Sequence, residues 1–305
     1  MKIITDYIGK ELEEGVFKPN EVHEYRFPIG ESYCDAVYDP KNSRLKLYGI
    51  TGRQFSQSEN ALSLKSPVEF SKAYTKLTIY AYPGEDDIWE QAGFTCEGKI
   101  LGYFADSTDA ILWVAYLDEE RAQFHLSEEN DAKLKIARSK QVVEPMLAVG
   151  YTCPLATFTD SSDISILLKR TFEDYPSPTE EGHIHQLIAT QSNLFRYVRN
   201  RNGEMVAVAS AEIDHKRKSA ELTDCATLPS ERGKGHMSYI LKRLEEDLDM
   251  GLGITDVYSL ARTGELGINC SFAKLGYVYT GRLRNNCRMP GGWESMNIWC
   301  KPDKQ

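Results

Sequence analysis

The stretch from Leu222 to Leu244 constrains this chain most. It reads as a strand, Leu222-Thr223-Asp224-Cys225-Ala226-Thr227-Leu228, then a loop from Pro229 to Met237, then a helix from Ser238. Arg232-Gly233-Lys234-Gly235 stands directly before that helix, which brings no capping side chain of its own. An uncapped helix start gathers free backbone N–H groups and the positive end of the helix dipole at one spot, a setting that suits a phosphate. Gly233 and Gly235 allow the backbone to approach a ligand without a Cβ in the way. Arg232 and Lys234 add positive charge, and His236 and Met237 complete the loop. The spacing is neither that of the nucleotide-binding loop ending in Gly-Lys-Ser/Thr nor that of the dinucleotide motif with its third glycine. The competing reading of the loop is a solvated turn.

The segment behind the loop has helical periodicity. Met237, Ile240, Leu241, Leu244 and Leu248 share one face, Lys242, Arg243, Glu245 and Glu246 lie elsewhere, and Gly251 and Gly253 mark the end. The apolar stripe is expected in the core.

At 305 residues there is room for two domains. A first domain is expected over residues 1–143, a linker over 144–155 and a second domain over 156–305. In the first, Ser32–Tyr38 and Arg44–Ile50 form a hairpin-like pair around Asp39-Pro40-Lys41-Asn42-Ser43. A helix is expected over Val68–Thr75, strands over Leu77–Ala81, Lys99–Phe104 and Ala110–Tyr116, and a solvated helix and connector over Leu117–Lys140. In the second, Asp160 precedes a helix that Tyr175-Pro176-Ser177-Pro178 closes. Strands over Leu194–Arg199 and Met205–Asp214 flank Asn200-Arg201-Asn202-Gly203. The charged turn His215-Lys216-Arg217-Lys218 leads into the Glu221–Leu228 strand. A strand over Asp256–Ala261, a helix over Gly267–Leu275 and strands over Tyr277–Leu283 and Ser295–Cys300 complete the set. The expected class is α+β, a mixed sheet with helices on its faces.

Gln91–Ile100 and Lys274–Leu283 echo one another, with Gly93 and Gly98 aligned on Gly276 and Gly281. Either the first domain is a second copy of the fold, one that lacks the Arg-Gly-Lys-Gly loop and has lost acyl-CoA binding, or these are two unrelated helix-to-strand junctions.

The net charge of −9 argues against a nucleic-acid partner. No apolar run reaches membrane-span length, and none near Met1 looks like a signal peptide, so a cytoplasmic protein with no membrane partner is expected. Seven scattered cysteines without a Cys-x-x-Cys pair read as reduced thiols. His183 and His185 read as surface residues, and no metal site is expected.

The loop and its strand resemble the acyl-CoA diphosphate loop of the GNAT N-acetyltransferase superfamily, Gln/Arg-x-x-Gly-x-Gly/Ala. Arg232 and Gly235 fit, and Met237 stands where a small residue is usual. Further segments resemble the β-lysine N-acetyltransferase family: Tyr175-Pro176-x-Pro178, Ala211-Glu212-Ile213-Asp214, Ala220 to Pro229, Gly281-Arg282-Leu283-x-Asn285-Asn286-Cys287, Gly291-Gly292 and Met296-Asn297-Ile298-Trp299. In the first domain Gly93-Phe94-x-x-Glu97-Gly98 and Gly102-Tyr103-Phe104 extend the likeness. The resemblance implies a C-terminal GNAT domain beside a degenerate GNAT-like N-terminal domain. It also implies transfer of an acetyl group from acetyl-CoA to the terminal amine of β-lysine, forming a compatible solute. The alternatives are an acetyltransferase for another small amine, such as a polyamine or lysine, and a non-catalytic acyl-CoA-sensing module. The oligomeric state is left open.

That chemistry needs a held thioester, a deprotonated amine and a stabilised oxyanion. The resemblance places Cys225, Ala226 and Thr227 along the pantetheine arm, Arg232, Gly233, Lys234, Gly235, His236 and Met237 at the diphosphate, and Asn269 beside the arm, with a helix N-cap or first-turn role as the alternative for Asn269. Glu221, Asp224 and Glu212 are the candidate catalytic carboxylates. Strand alternation puts Glu221 and Asp224 on opposite faces unless a bulge intervenes. Asn285, Asn286 and Asn297 are candidate substrate ligands. Phe272 stands where many members carry a tyrosine acid, with Tyr277, Tyr279 and Cys287 as possible substitutes.

Overall fold

The computed structural model describes residues 22–59, 61, 64, 74–123, 127–172 and 178–302. Strands β1 (His23–Ile29), β2 (Ser32–Asp39), β3 (Arg44–Ile50), β4 (Lys76–Ala81), β5 (Thr95–Ile100) and β6 (Ala110–Tyr116) make the first half. Strands β7 (Asn193–Arg199), β8 (Met205–Asp214), β9 (Ser219–Thr227), β10 (Asp256–Arg262), β11 (Val278–Met289) and β12 (Gly292–Cys300) make the second. The helices are α1 (Gly52–Ser56), α2 (Asp86–Gln91), α3 (Glu119–Ala122), α4 (Glu128–Arg138), α5 (Ser161–Thr171), α6 (Glu181–Ala189), α7 (His236–Leu252) and α8 (Leu266–Lys274). The helix expected over Val68–Thr75 falls almost wholly outside the described residues, as does most of Tyr175–Pro178.

All twelve strands join one sheet, in the order β1-β2-β3-β4-β6-β5-β11-β12-β10-β9-β8-β7. Each half repeats one connectivity: three strands, a parallel neighbour, a helix, then an antiparallel pair. The parallel pairs are β3–β4 and β9–β10. The halves meet where β5 pairs with β11 at Gly98 and Gly281, the aligned glycines of the sequence echo.

The expected hairpins and the strand–loop–helix unit are present. Helix α7 buries Ile240, Leu241, Leu244 and Leu248, each contributing about 1.5–3 kcal/mol by leaving water. It runs through Gly251. Gly253, at φ 65°, ends it by donating to the Asp249 and Leu248 carbonyls, and the Ile254 N–H also returns to Leu248. Strand β5 ends at Ile100 rather than continuing to Phe104, because Gly102, at φ 61°, turns the chain. Strands β11 and β12 extend to a tight hairpin at 290–291.

Helix α4 lies within the expected first domain but packs on the second. Ala137 enters the second core, Asp131 pairs with Arg282 at 2.7 Å, and the Asn130 amide bonds Thr263. Buried polar groups tie the halves further. Arg121 donates to the carbonyls of Asn42, Ser43, Asn285 and Asn286 and stacks on Trp293. The buried Lys76–Glu97 pair (3.0 Å) binds Arg284 through its carbonyl and its guanidinium. On the β3 strand Leu45 and Leu47 face the first core while Arg44, Lys46 and Tyr48 face the other way. That polar face turns toward β8 and β9, where Asp35 of β2 holds Lys216 and Arg217 of the β8–β9 turn at 2.6 and 2.7 Å.

Candidate active site

The loop before α7 has the geometry its composition implies. Gly233 and Gly235 take φ of 80° and 85°, which L side chains rarely adopt, and Gly235 occupies the N-cap position with no side-chain cap. Among the described residues, the backbone N–H groups from Gly233 to Ser238 donate to no protein acceptor. A Cβ on Gly233 would meet nothing within 4 Å. Lys234 is anchored to Glu231 at 2.8 Å, and Arg232 Nε reaches the Thr227 carbonyl. His236 turns inward: it is 1% exposed, bonds Glu231 through Nε2 at 3.0 Å and packs against Tyr151. Its side chain therefore braces the loop, and only its amide faces a ligand. The converging amides fit a diphosphate.

Upstream of this loop the sheet opens. Strand β9 pairs with β10 only from Ser219 to Glu221, so the backbone from Leu222 to Thr227 lacks a β10 partner. The first half has no such gap, since β3 pairs with β4 from Arg44 through Ile50. Its α1 start is also sealed, by a Thr51–Gln54 capping box.

A bulge joins the candidate carboxylates. Ala207 and Val208 pair with Thr227 and Ala226, but Ser210 pairs with Thr223, leaving Asp224 and Cys225 opposite Ala209 alone. Asp224 takes φ 51°, and its carboxylate accepts from Ser210 Oγ at 2.6 Å. Ser210 lies two residues from Glu212 on β8, and Glu212 pairs directly with Glu221. The bulge thus resolves the alternation conflict and brings Asp224 to the Glu212–Glu221 face.

Glu212 and Glu221 line a cavity of about 850 Å³ between the halves. Tyr258, paired with Glu221 on β10, lies on its wall, and Arg44, Lys46, Tyr48, Tyr80 and Tyr103 face them from the first half. Tyr80 packs at a tilt against Tyr48 and Tyr103, with ring centroids at 4.5 and 5.3 Å, and Tyr103 meets Tyr258 edge-on at 5.9 Å. Tyrosine faces and carboxylates together favour an ammonium group. Removal from bulk water, reinforced by the neighbouring Glu212 charge, pushes the Glu221 carboxyl up to about 7. Glu212 is exposed toward the cavity, and partial desolvation there, with the Asp224 and Asp214 charges, raises its carboxyl against the opposing pull of Lys46. Burial raises the Cys225 thiol far above its usual value, with the Asp224 charge adding to the effect.

Four expected ligands are placed elsewhere. Asn269 is 1% exposed; its amide donates to the Arg262 and Glu265 carbonyls and its oxygen accepts from Asn297 and Trp299. With both ends satisfied inside the protein, it pins α8 to β10 and β12 and has no group left for a pantetheine arm. Asn297 is spent on Asn269 and Arg282. Asn285 donates to the Arg121 and Gln123 carbonyls, and Asn286 is buried beside Cys287. None of these three lines the cavity, so their role as substrate ligands is corrected: Asn285 and Asn286 hold β11 against the first half, and Asn297 ties β12 to α8 and β11 within the second. Phe272 is fully buried with Tyr277 edge-on to it, Tyr279 sits under Arg138, and Cys287 lies near Arg44. Sequence reasoning missed Lys46 and the tyrosines of the cavity. The alternation of Arg44, Lys46 and Tyr48 is the signal that carried them, and alone it reads as an ordinary solvent face.

Residues 163–277 match the family model described as Acetyltransferase (GNAT) family. Over 249 residues the chain is 37% identical to a protein named β-lysine N(6)-acetyltransferase from Methanosarcina mazei, covering 74% of this chain and 90% of that protein. The chain belongs to the GNAT acetyltransferase family. A second relative, named N-acetyltransferase YodP from Bacillus subtilis, is 33% identical over 228 residues, covering 74% of this chain and 82% of that protein. Among solved structures, spermidine N-acetyltransferase from Vibrio cholerae in complex with CoA and spermine superposes with a TM-score of 0.43 at 15% identity, covering 50% of this chain and 94% of that one. This GNAT protein is an N-acetyltransferase, and the GNAT fold uses acetyl-CoA, which sets aside a non-catalytic sensing module. No helix among its described residues is long and apolar enough to cross a membrane.

Proposed function

We propose that this GNAT enzyme acetylates the terminal amine of β-lysine, with Glu221 as the proton acceptor. The observation that carries this reading is the position of Glu221. It is the last β9 residue paired with β10 before the strands part, and it also lines the cavity. Its carboxyl, raised to about 7, is matched to proton transfer at neutral pH. Lysine-type amines are protonated there, with a reference pKa of about 10.4, so a proton acceptor is required.

Acetyl-CoA brings an already activated thioester. The amides from Gly233 to Met237, with Arg232 and Lys234, hold its diphosphate, and the unpaired backbone of Cys225, Ala226 and Thr227 holds its pantetheine arm. Glu212 and Asp224 share the Glu221 face and draw the cationic amine into the cavity, where Tyr258 and its neighbours flank it. Cys225, kept as a thiol, takes no acyl group, so the amine receives the acetyl group directly. The first half, with its sealed α1 start and closed β3–β4 pairing, is a degenerate GNAT copy that binds no acyl-CoA.

The carboxylates and tyrosines alone also suit a polyamine. Lys46 and Arg44 on the opposite wall disfavour an all-cationic substrate and suit one that carries a carboxylate. The test is free-thiol release from acetyl-CoA with a panel of amines. Release with β-lysine well above spermidine and α-lysine supports the proposal. Release with spermidine alone points to the polyamine, and no amine-dependent release removes both.

A further inference from the structure

The first half brings no acyl-CoA machinery, yet it supplies the positive wall of the cavity. On β3, Arg44, Lys46 and Tyr48 share one face and line it. Their electrostatic situations differ. Arg44 is engaged by Asp39 at 2.8 Å and by the Asn286 carbonyl. Arg217 on the rim is held by Asp35 and Asp214, and Lys216 by Asp35. Among the described residues, the Lys46 ammonium makes no side-chain hydrogen bond and no ion pair within 4.0 Å. Glu212 and Glu221 face it across the cavity without contacting it. The Lys46 ammonium therefore feels these carboxylates only at a distance and has no anion in contact, a costly state for a half-buried cation.

Resting on the reading of the chain as an acetyltransferase for a diamino acid, we propose that Lys46 binds the substrate's carboxylate and so makes the first half the selectivity module of the enzyme. The site then has two poles. Glu221, on β9, takes the reacting amine, and Lys46, on β3, takes the acid end. A substrate carrying both groups neutralises both poles, whereas a diamine leaves Lys46 unpaired and adds like charge beside it. The position of Lys46 gives this pole further meaning. Burial and the neighbouring Arg44 push its ammonium below the usual lysine value, while Asp39, Glu221 and Glu212 pull it back up. An arriving carboxylate joins the second group.

The experiment compares wild type, Lys46→Met, Lys46→Gln and Lys46→Arg with β-lysine, its carboxamide and 1,5-diaminopentane. Charge-assisted hydrogen bonds of this kind predict a drop of about 10- to 100-fold in kcat/KM for β-lysine in the neutral variants, carried mainly by KM. The carboxamide and the diamine should lose no more than about threefold or gain, Lys46→Arg should keep most of the β-lysine activity, and the KM for acetyl-CoA should stay unchanged. Equal losses on the acid and the carboxamide, or no loss on either, would overturn the proposal while leaving the acetyltransferase reading intact. If wild type acetylates no carboxylate-bearing amine, the underlying reading fails and this one with it. Should the neutral variants fail to fold, wild-type discrimination decides: a preference for the acid over its carboxamide of at least about tenfold supports the proposal, and no preference overturns it.

Discussion

Gly98 and Gly281 stand back to back at the seam where β5 meets β11. A Cβ built on Gly98 would lie 2.6 Å from the Gly281 Cα, and one on Gly281 would lie 2.4 Å from the Gly98 Cα. Gly98 also holds φ 141°, outside the range of ordinary side chains. Backbone contact this close is what lets twelve strands run as one sheet and fixes how the halves enclose the cavity. Gly98→Ala therefore forces both strands apart and strains its own backbone. We expect a loss of about 2–5 kcal/mol in unfolding stability, measured by urea denaturation, together with a rise in KM for the amine. A variant with native stability and native KM would show that the seam tolerates separation.

Much of this architecture was legible in the chain. The strand–loop–helix from Leu222 to Leu244, the hairpin around Asn200–Gly203 and the repeated Gly-aromatic junctions all rest on local signals: periodicity, turn residues and helix ends. Helix α6 and strand β1 were not foreseen, because neither carries a strong boundary signal. The cavity was hidden for a different reason. Whether Lys46 meets bulk water or Glu221 depends on a pairing between residues 183 positions apart, Gly98 and Gly281, and no local pattern encodes it. The asparagines misled because their sequence pattern is distinctive while their work is internal: Asn269, Asn297 and Trp299 form one closed hydrogen-bond set. The Glu221–Asp224 conflict was visible from alternation, but only the positive φ of Asp224 shows how the chain resolves it.

The loop proposed to hold acyl-CoA makes its own prediction. Gly235→Asp places an anion beside the unpaired amides and asks an L residue to hold φ 85°. Acetyl-CoA affinity, measured by calorimetry, should fall about tenfold or more, while the far-UV spectrum stays native because α7 is held by its buried stripe. Unchanged affinity would refute the assignment of the loop.

Cys225 lies on the bulge within the candidate acyl-transfer strand, where a nucleophilic thiol would be conspicuous. Its thiol is raised far from the range in which thiolate forms at neutral pH. Cys225→Ala should retain turnover within about threefold, since no bond to sulfur forms in a direct transfer. Initial-rate patterns should intersect, and mass spectrometry of enzyme mixed with acetyl-CoA alone should show no added acetyl mass. An acetylated enzyme, or parallel ping-pong lines, would require a covalent route.

The remaining prediction concerns pH. A general base works only when deprotonated, so the sign follows from the direction of the Glu221 shift. Its carboxyl, raised from 4.5 to about 7 by burial and by Glu212, carries its proton below that value and sheds it above. The kcat/KM for the amine should therefore fall tenfold per unit as pH drops below about 7, instead of holding steady down to the ordinary carboxylate range. Because Glu212 is raised too, the limb reports the pair, and its midpoint should move when Glu212 is neutralised. Glu212→Gln removes the neighbouring charge that helps hold the Glu221 proton on, so its limb should shift to lower pH while activity persists. Glu221→Gln should remove the limb and lower turnover by about 100-fold or more, with acetyl-CoA affinity unchanged. A limb that survives intact in Glu221→Gln would move the proton acceptor to Asp224, the carboxylate that the bulge has turned onto the same face.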